Sequence, residues 1–454
     1  MNILTSAAAF LVAIGILVAV HEYGHFIAAR LLGVRVLRFS IGFGRPLWVR
    51  RAGADRTEYC LSAIPFGGYV KLLDERDCPV ALFEQSRAFN RQPIRSRVMI
   101  LAAGPALNFL FAILAYWLMF MAGVPGTRPV VGEIASGSLA ASAGLVDGDQ
   151  IVAVGGRETA TWEGAVVAML DTMLESGRIP LAVKGVDGRQ RNVTLDTAGR
   201  AAELTEPGRL FPGLGFQPWA PPLPPVLGEV LPGGAAERAG LLAGDLVLTA
   251  DAQAIASWPA WVEFIRARPG KTVDVEIERA GQVLRFNVGI ERASGADGEV
   301  GRIGASPRIP EGLYEQMKSV ERYAPALAFR KSLERSWEMA SLTVRMVTRM
   351  ITGDVSVKNI SGPINIAQYA GYSASIGIAP FLSFLAVVSI SLGILNLFPV
   401  PMLDGGQIAY QLVEAAKGSP LSERSQIVGQ QIGIFFLLLL MSFAFYNDIS
   451  RLLG

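Results

Sequence analysis

The sequence contains only two histidines, and both lie in the run His21-Glu22-Tyr23-Gly24-His25. Residues four apart share one face of a helix, so the two imidazoles can approach a single metal ion. This is the H-E-x-x-H pattern, in which two histidines bind zinc and the glutamate is the general base. The sequence therefore predicts one zinc ion per chain, with His21 and His25 as ligands and Glu22 as the catalytic residue.

Two histidines do not complete a catalytic zinc site, which usually has three protein ligands and an open position for water. Because no other histidine exists, the third ligand must be a carboxylate. The best candidate is Asp404, in the run N-L-F-P-V-P-M-L-D-G-G that begins at Asn396. The prolines of this run would break a helix, and Gly405-Gly406 predict a sharp turn after the aspartate. The alternative is that Asp404 only caps the next helix.

Four apolar segments are long enough to cross a bilayer, which takes about 20 residues. We assign the spans to residues 1–32, 98–122, 376–406 and 427–446. A cleavable signal peptide is the alternative for the first, but no basic residue precedes the apolar run and no small-residue cleavage site follows. A carboxylate at membrane depth usually pairs with another group or binds a metal. The first and third spans should therefore pack together around the zinc ion.

Basic residues indicate the orientation of these spans. Thirteen lysines and arginines lie from Arg30 to Arg97, and short loops rich in them stay in the cytoplasm. Residues 33–97 are therefore expected in the cytoplasm and residues 123–375 outside, with the zinc site nearer the cytoplasmic face. Within the loop, Arg35–Lys71 reads as short strands broken by turns, and an edge strand containing Gly67, Gly68 and Tyr69 could bind an extended substrate.

Composition narrows the class of protein. The chain is 51% hydrophobic, so it is not an ordinary soluble enzyme, and its net charge of +2 gives no reason to expect nucleic-acid binding. Its two cysteines, Cys60 and Cys78, form no C-x-x-C metal pattern, and we interpret them as free thiols.

The region after the second span contains an internal repeat. At an offset of 96 residues, 12 of the 33 columns from 130 to 162 are identical, including an A-G-L-x-x-G-D run and a tryptophan. A repeat of this size indicates a duplicated small domain. Each copy resembles a PDZ domain, and we place the two PDZ-like α+β domains at residues 123–220 and 221–310. Residues 311–375 predict amphipathic helices, although a plain helical spacer is an equal alternative.

Each repeat ends in a related glycine-containing loop. In PDZ domains such a loop offers backbone N–H groups to the carboxylate of a peptide C-terminus. The alternative is that these glycines only form turns. The loop residues are Gly213, Leu214, Gly215 and Phe216 in the first copy, and Ile303 and Gly304 in the second.

Together, H-E-x-x-H in the first span and the N-x-x-P-x-P-x-L-D-G-G run in the third resemble the site-2 proteases, which are intramembrane zinc metalloproteases. Two PDZ domains between the second and third spans are typical of the type found in Gram-negative bacteria. The likeness extends to Gly104-Pro105-Ala106-Leu107-Asn108, which matches the family's G-P-x-x-N, and to the Gly67–Val70 strand.

The resemblance implies zinc binding by His21, His25 and Asp404 and catalysis by Glu22. It implies that Asn396 helps to bind the substrate. Supporting roles fall to Asn108, Pro399 and Pro401.

The implied function is hydrolysis within the membrane segments of single-span proteins, in a multi-pass enzyme of the bacterial inner membrane with periplasmic PDZ domains. Expected substrates are an anti-sigma factor already cut by a site-1 protease, in the envelope stress response, and remnant signal peptides. The PDZ pair would exclude bulky substrates or bind new C-termini. The alternatives are a non-catalytic membrane PDZ scaffold, which needs no acid between metal ligands, and a metal transporter, which needs more intramembrane acids or histidines.

Overall fold

The structure is a computed structural model that describes residues 3–77, 79–295, 298–310, 312–419 and 421–453. Its elements form two compact units, one built from the chain up to Gln217 together with Ser319–Leu453, and the other from Pro218–Lys318.

The first two long helices flank a small β-sheet. Helices α1 (Ile3–Leu31) and α2 (Ile94–Ala122) are 29 residues each, and α2 begins four residues before the predicted start at 98. The sheet contains two long strands, β1 (Val36–Ala52) and β2 (Thr57–Leu72), rather than several short ones. Positive φ angles at Gly42 and Gly44 let β1 change direction without ending.

Because β1 and β2 bend, different parts of the two strands pair side by side and form a sheet that is wider than two strands. Residues Arg38–Ile41 pair with Gly68–Lys71 on one side and with Glu58–Leu61 on the other. Residues 68–72 therefore form an outer strand, with β1 as the partner of one edge. Cys60 is a buried free thiol, whereas Cys78 lies outside the described residues.

The first repeat forms a four-stranded sheet of order β6-β5-β7-β8, and its first and last strands pair separately. Its buried core is aliphatic and aromatic, and Ser138 and Thr161 cap two of its helices through their side-chain oxygens. Its elements, after strand β3 (Val124–Thr127), are β4 (Val131–Ile134), α3 (Leu139–Ser142), β5 (Gln150–Val154), β6 (Arg157–Glu158), α4 (Trp162–Ser176), β7 (Arg178–Lys184), β8 (Gln190–Asp196), α5 (Ala201–Leu204), α6 (Leu210–Leu214) and β9 (Phe216–Pro218).

The second repeat has the same sheet order, β12-β11-β13-β14, and again pairs its first strand with its last. It differs near its end, where a β-hairpin replaces the two short helices of the first copy. Its elements are β10 (Leu227–Val230), α7 (Ala235–Arg238), β11 (Leu246–Ala250), β12 (Gln253–Ala254), α8 (Trp258–Arg266), β13 (Thr272–Arg279), β14 (Gln282–Gly289), β15 (Glu291–Gly295), β16 (Gly298–Arg302) and β17 (Ala305–Pro307).

The aspartate of the A-G-L-x-x-G-D run has a structural role in both copies. Asp149 and Asp245 each have 1% of the side chain exposed. Each accepts a hydrogen bond of 2.8 Å from the backbone N–H three residues earlier. Each also pairs with an arginine of a sheet strand, Arg191 in the first copy and Arg279 in the second. The repeated motif is therefore a turn closed by a buried ion pair.

The rest of the chain is mostly helical. Pro325–Thr352 is a single helix of 28 residues, although amphipathic helices were predicted throughout 311–375, and residue 311 lies outside the described residues. The elements are β18 (Lys318–Glu321), α9 (Pro325–Thr352), α10 (Pro363–Ile376), α11 (Ile378–Leu397), α12 (Asp404–Lys417) and α13 (Glu423–Leu453). Helices α1, α2, α11 and α13 are long and apolar enough to cross a membrane.

Helix α9 joins the first PDZ-like copy to the membrane helices. Trp117 of α2 donates a hydrogen bond of 2.9 Å to the Pro325 carbonyl at the start of α9. Further along, Arg345 binds Asp171 of α4, a fully buried carboxylate that also accepts from Arg157 at 2.6 Å. The amphipathic helix thus packs on both α2 and the first PDZ-like copy.

Candidate metal centre

Three side chains from opposite ends of the sequence converge in the membrane helices. The Nε2 atoms of His21 and His25 lie 3.2 Å apart. Asp404 Oδ2 lies 3.2 Å from the first of these atoms and 3.4 Å from the second. The three atoms form an almost equilateral triangle, and this oxygen is buried with no hydrogen-bond partner among the described residues.

This triangle fits a tetrahedral zinc ion. Zinc binds histidine nitrogen and carboxylate oxygen at about 2.0–2.1 Å, so tetrahedral ligand atoms should lie about 3.3 Å apart. The observed separations match that value. In the described part of the chain this is the one cluster of three or more His, Cys, Asp or Glu residues with suitably placed ligand atoms. The residues present therefore fit the zinc ion that the sequence predicts.

The second nitrogen of each histidine is also fixed. His25 Nδ1 lies 2.9 Å from the Ile100 carbonyl and can only donate to it, which leaves Nε2 free to bind a metal. His21 Nδ1 lies 3.2 Å from Asn108 Nδ2, whereas Asn108 Oδ1 is buried without a partner. Turning this amide by 180° would let Oδ1 accept the Nδ1 proton and satisfy both groups. Asn108, predicted to support the site, thus contacts a proposed ligand directly.

Two glycines allow α1 and α2 to approach closely behind the histidines. A Cβ on Gly24 would lie 2.3 Å from the Ala103 carbonyl oxygen, and one on Gly104 would lie 2.3 Å from His25 Nε2. Any larger residue at either position would push the helices apart or displace an imidazole. Gly24 lies inside H-E-x-x-H, but that pattern alone predicts no role for it. The Ile100 carbonyl carries no signal in the sequence.

Asp404 is the first residue of α12, and the N-cap position of that helix is occupied by Leu403. The capping alternative therefore does not describe this aspartate. The prediction of a sharp turn at Gly405-Gly406 is wrong, because both glycines lie inside α12. Their small size instead permits close packing, since added Cβ atoms would lie 2.2 Å from the Leu397 carbonyl oxygen and 2.1 Å from that of Val400.

The outer strand of the small sheet runs beside Glu22. The Glu22 carboxylate interacts with the backbone of Val70 in this strand. A Cβ on Gly68 would lie 3.2 Å from Glu22 Cγ and 2.7 Å from Val18 Cγ1, so only glycine fits between this strand and α1. Gly67 has a φ of 128° and packs against Phe43. The strand and the predicted general base therefore form one continuous surface.

Arg38 fixes the orientation of this strand. It donates to the Tyr69 hydroxyl at 3.1 Å and binds Glu58 at 2.7 Å. Hydrogen bonds from Arg38 and Arg51 hold the pKa of Glu58 below its ordinary range, so the carboxylate remains ionised and the link persists at neutral pH.

The three other residues predicted for the site, Asn396, Pro399 and Pro401, precede Asp404 at the end of α11 and in the loop that follows. Asn396 is half-buried in the last turn of α11, and its side chain forms no hydrogen bond among the described residues. Its role in substrate binding stays a prediction. Pro399 and Pro401 lie in the loop between α11 and α12, and the Pro401 carbonyl accepts a hydrogen bond of 3.0 Å from Gln407. The supporting role of both prolines also stays a prediction.

The glycine loops of the two PDZ-like copies differ. Gly213 and Leu214 belong to helix α6, and the N–H groups of Gly213 and Gly215 donate to carbonyls one turn earlier. Leu214 and Phe216 are buried in the core of the first copy. The expectation of a free carboxylate-binding loop therefore does not describe this copy, because its N–H groups are already bonded.

In the second copy the corresponding loop lines a groove of about 320 Å³ between α8 and β17. The N–H groups of Ile303 and Gly304 donate to no backbone carbonyl among the described residues. The side chains of Arg266 and Arg302 lie along the same groove.

Comparison with known proteins connects this geometry to a family. The profile of peptidase family M50 matches residues 9–440. The chain is 45% identical to the regulator of sigma-E protease RseP of Escherichia coli over 453 residues, which is 100% of both chains. It is 41% identical to a putative zinc metalloprotease of Vibrio cholerae over 454 residues, 99% of this chain and 100% of the relative.

Among solved structures, a PDZ domain of an SdrC-like protein from Listeria monocytogenes aligns with 20% of this chain and 88% of its own. At 20% identity and a TM-score of 0.16, this likeness is too slight to support an argument about the fold.

Proposed function

The chain belongs to peptidase family M50 and is an intramembrane zinc metalloprotease of the site-2 type; we propose that His21, His25 and Asp404 bind its zinc ion and that Glu22 is the general base. The observation that carries these assignments is the triangle of ligand atoms with edges of 3.2–3.4 Å. A bound zinc ion polarises the scissile carbonyl and lowers the pKa of the attacking water towards about 7.

The surrounding residues supply orientation and proton transfer. The Ile100 carbonyl and the Asn108 amide hold the two imidazoles with Nε2 towards the ion. Glu22 accepts the proton of the attacking water and then delivers it to the leaving nitrogen. The side chain of Glu22 packs against the outer strand of the sheet at Gly68, where the substrate must lie for this transfer.

Substrate binding follows from that strand. We infer that a substrate segment unwinds and adds as a strand along residues 68–72, because a helix protects its peptide groups through internal hydrogen bonds. Gly67, Gly68 and Tyr69 lie along this edge, and the absence of side chains at the two glycines leaves room beside α1. Asn396, at the end of α11, would then bind the substrate from the opposite side.

We propose that the loop of residues 33–97 faces the cytoplasm and that both PDZ-like domains are periplasmic. The thirteen basic residues from Arg30 to Arg97 support this orientation. It places the zinc site nearer the cytoplasmic face of the inner membrane.

The proposed substrates are single-span membrane proteins that have already lost their outer domains. The name of the Escherichia coli relative links that protein to sigma-E regulation. By analogy, we propose that this chain cuts an anti-sigma factor trimmed by another protease, and also remnant signal peptides. The groove of the second PDZ-like copy, with free N–H groups and two arginines, supports binding of the newly made C-terminus.

The decisive experiment incubates purified full-length protein with a single-span substrate, with and without a zinc chelator. Glu22→Gln should keep zinc bound and abolish cleavage, because the ligands remain while the general base is lost. Asp404→Ala should lower the zinc content below one ion per chain. Asp187→Ala, at an exposed carboxylate, is the matched control and should change neither quantity. Full cleavage by Glu22→Gln, or full zinc content in Asp404→Ala, would contradict the corresponding role.

A further inference from the structure

Helix α13 makes close contacts on one narrow face near its start. Among residues 424–440 only Gly433 is buried, Gln426 and Gly429 are half-buried, and the rest are exposed. Gly429 and Gly433 are four residues apart and therefore lie on the same side of the helix. Small residues at this spacing let a neighbouring backbone approach a membrane helix closely.

The two glycines contact the segments on either side of Asp404. A Cβ on Gly429 would lie 2.0 Å from Tyr410 Oη, in α12. A Cβ on Gly433 would lie 3.2 Å from Met402 Cγ and 3.3 Å from its backbone nitrogen. Met402 precedes the aspartate by two residues, and Tyr410 follows it by six. The glycine face of α13 therefore abuts the chain both before and after the proposed ligand.

Helix α12 also contacts α2 and the backbone at the end of α11. Arg97 of α2, with 8% of its side chain exposed, binds Glu414 near the end of α12 at 2.7 Å. At its start, Gly405 and Gly406 pack beneath the backbone that follows α11. These contacts restrain α12 from the sides of α2 and α11, so a shift of α13 towards Tyr410 or Met402 cannot be absorbed by a free movement of α12.

We propose that Gly429 and Gly433 are positioning residues for the zinc ligand Asp404. Their missing side chains let α13 seat the 401–402 loop and Tyr410, and this contact sets the distance from the aspartate to the histidines on α1. An added methyl group displaces the loop or α12, and the carboxylate moves with it. The inference rests on the proposed role of Asp404 as the third ligand.

The test measures zinc affinity in full-length protein by competition with a chelator. Gly429→Ala and Gly433→Ala should each raise the zinc Kd about 10-fold or more, the range seen when groups that orient metal ligands are changed. The absorption spectrum of the Co²⁺-loaded protein should also shift, because it reports ligand geometry. Gly15→Ala is the matched control, since Gly15 is a glycine within α1 whose added Cβ would have no atom within 4 Å.

A second substitution separates positioning from general damage. Tyr410→Phe removes a buried hydroxyl that has no hydrogen-bond partner among the described residues. It should restore the zinc Kd of Gly429→Ala, because the close contact is with that oxygen, and should not restore Gly433→Ala. The thermal unfolding of zinc-free protein, measured in parallel, should change little.

Unchanged zinc Kd and Co²⁺ spectra in both glycine variants would overturn the proposal. It would also be overturned if the zinc-free variants unfolded at much lower temperature and Tyr410→Phe gave no rescue, because the glycines would then be structural only. Retention of full zinc by Asp404→Ala would instead refute the assignment of the third ligand. Loss of zinc in Asp404→Ala with normal binding in the glycine variants would refute the positioning role alone.

Discussion

The two PDZ-like copies share a sheet order and a buried Asp–Arg pair, yet they differ in the space beside the helix that begins at the repeated tryptophan. In the first copy, Phe211 lies 5.1 Å from Trp162 and 5.5 Å from Phe216, measured between ring centroids, so three rings pack between α4 and β9. In the second copy the same place is a groove. The two copies thus share their scaffold, while the short segments near the end of each copy determine whether this place is filled by aromatic rings or is a groove.

The contact between the first copy and α9 depends on a position that the repeat does not preserve. Asp171 is fully buried and binds Arg157 and Arg345, and through Arg345 it joins the first copy to α9. The position 96 residues later is Ala267, which has no charge to offer. An ion pair with a buried carboxylate therefore fixes the first copy to α9, and the repeat alone does not predict it.

The largest effect should come from breaking this contact. Asp171→Ala leaves two arginines without their carboxylate, which costs about 3 kcal/mol, at the lower end for buried pairs because both arginines are partly exposed. Hydrogen exchange should accelerate in α4 and α9 of the full-length protein and stay unchanged in residues 218–295. Asp187→Ala provides the exposed control. Unaltered exchange in α9 would show that packing alone fixes the first copy.

A smaller and equal effect is expected from the feature that the copies share. Asp149→Ala and Asp245→Ala each remove one buried carboxylate with one arginine partner and one backbone donor, at a cost of about 2 kcal/mol. Exchange of the adjoining sheet should accelerate by a similar factor in each copy. A large effect in only one copy would mean that the motif stabilises the two domains differently.

The groove of the second copy should bind a peptide through its terminal carboxylate. Arg302→Ala is expected to weaken binding of a peptide with a free C-terminus about 5- to 10-fold, which corresponds to roughly 1–1.4 kcal/mol. Fluorescence titration of the full-length protein checks this, with an amidated peptide as the ligand control. Arg285→Ala, outside the groove, is the matched variant and should bind normally. Equal affinity for free and amidated peptides would contradict carboxylate binding.

The smallest effect concerns a charge that only the second copy has. Hydrogen bonds from Thr249 and Arg285 hold the pKa of Glu276 below its ordinary value of 4.5, whereas the position 96 residues earlier is Pro180. Because the pKa of Glu276 is lower in the folded state, its ionised carboxylate stabilises the second copy at any pH above the unfolded pKa. This stabilisation is lost as the pH falls through the folded pKa. Exchange in β13 and β14 should therefore accelerate slightly below about pH 4.5. Glu276→Gln should remove this pH dependence, and its persistence would assign the effect to another carboxylate.

The metal centre shows how far sequence alone could lead. His21 and His25 were predictable because helical spacing is local, and Asp404 because no other histidine exists and an acid in an apolar segment needs a partner. Gly24 and Gly104 were not, since their importance lies in the close approach of two helices whose relative position no local pattern encodes. For Gly405-Gly406 the sequence predicts a turn, because glycine pairs are common in turns. In the structure the two glycines lie in a helix and allow it to pack closely against the preceding backbone.

The PDZ-like region shows a complementary limit. The repeat of 96 residues gave the two domains, because identical turn chemistry recurs at identical spacing. It did not reveal that α6 occupies the loop of the first copy, since a five-residue helix leaves little periodicity to detect. The amphipathic pattern of α9 predicts that one face packs against other elements. It does not predict that those elements are α2 and the first PDZ-like copy.

The separation of the metal ligands along the chain also has a consequence in time. About 380 residues lie between His25 and Asp404. At a translation rate of about 5–20 residues per second, the ribosome adds the third ligand roughly 20–75 s after the second. During this interval the nascent chain carries Glu22, the proposed general base, and gains both PDZ-like domains, but it still lacks Asp404. The order of the sequence therefore delays completion of the proposed zinc site until both PDZ-like domains have been made.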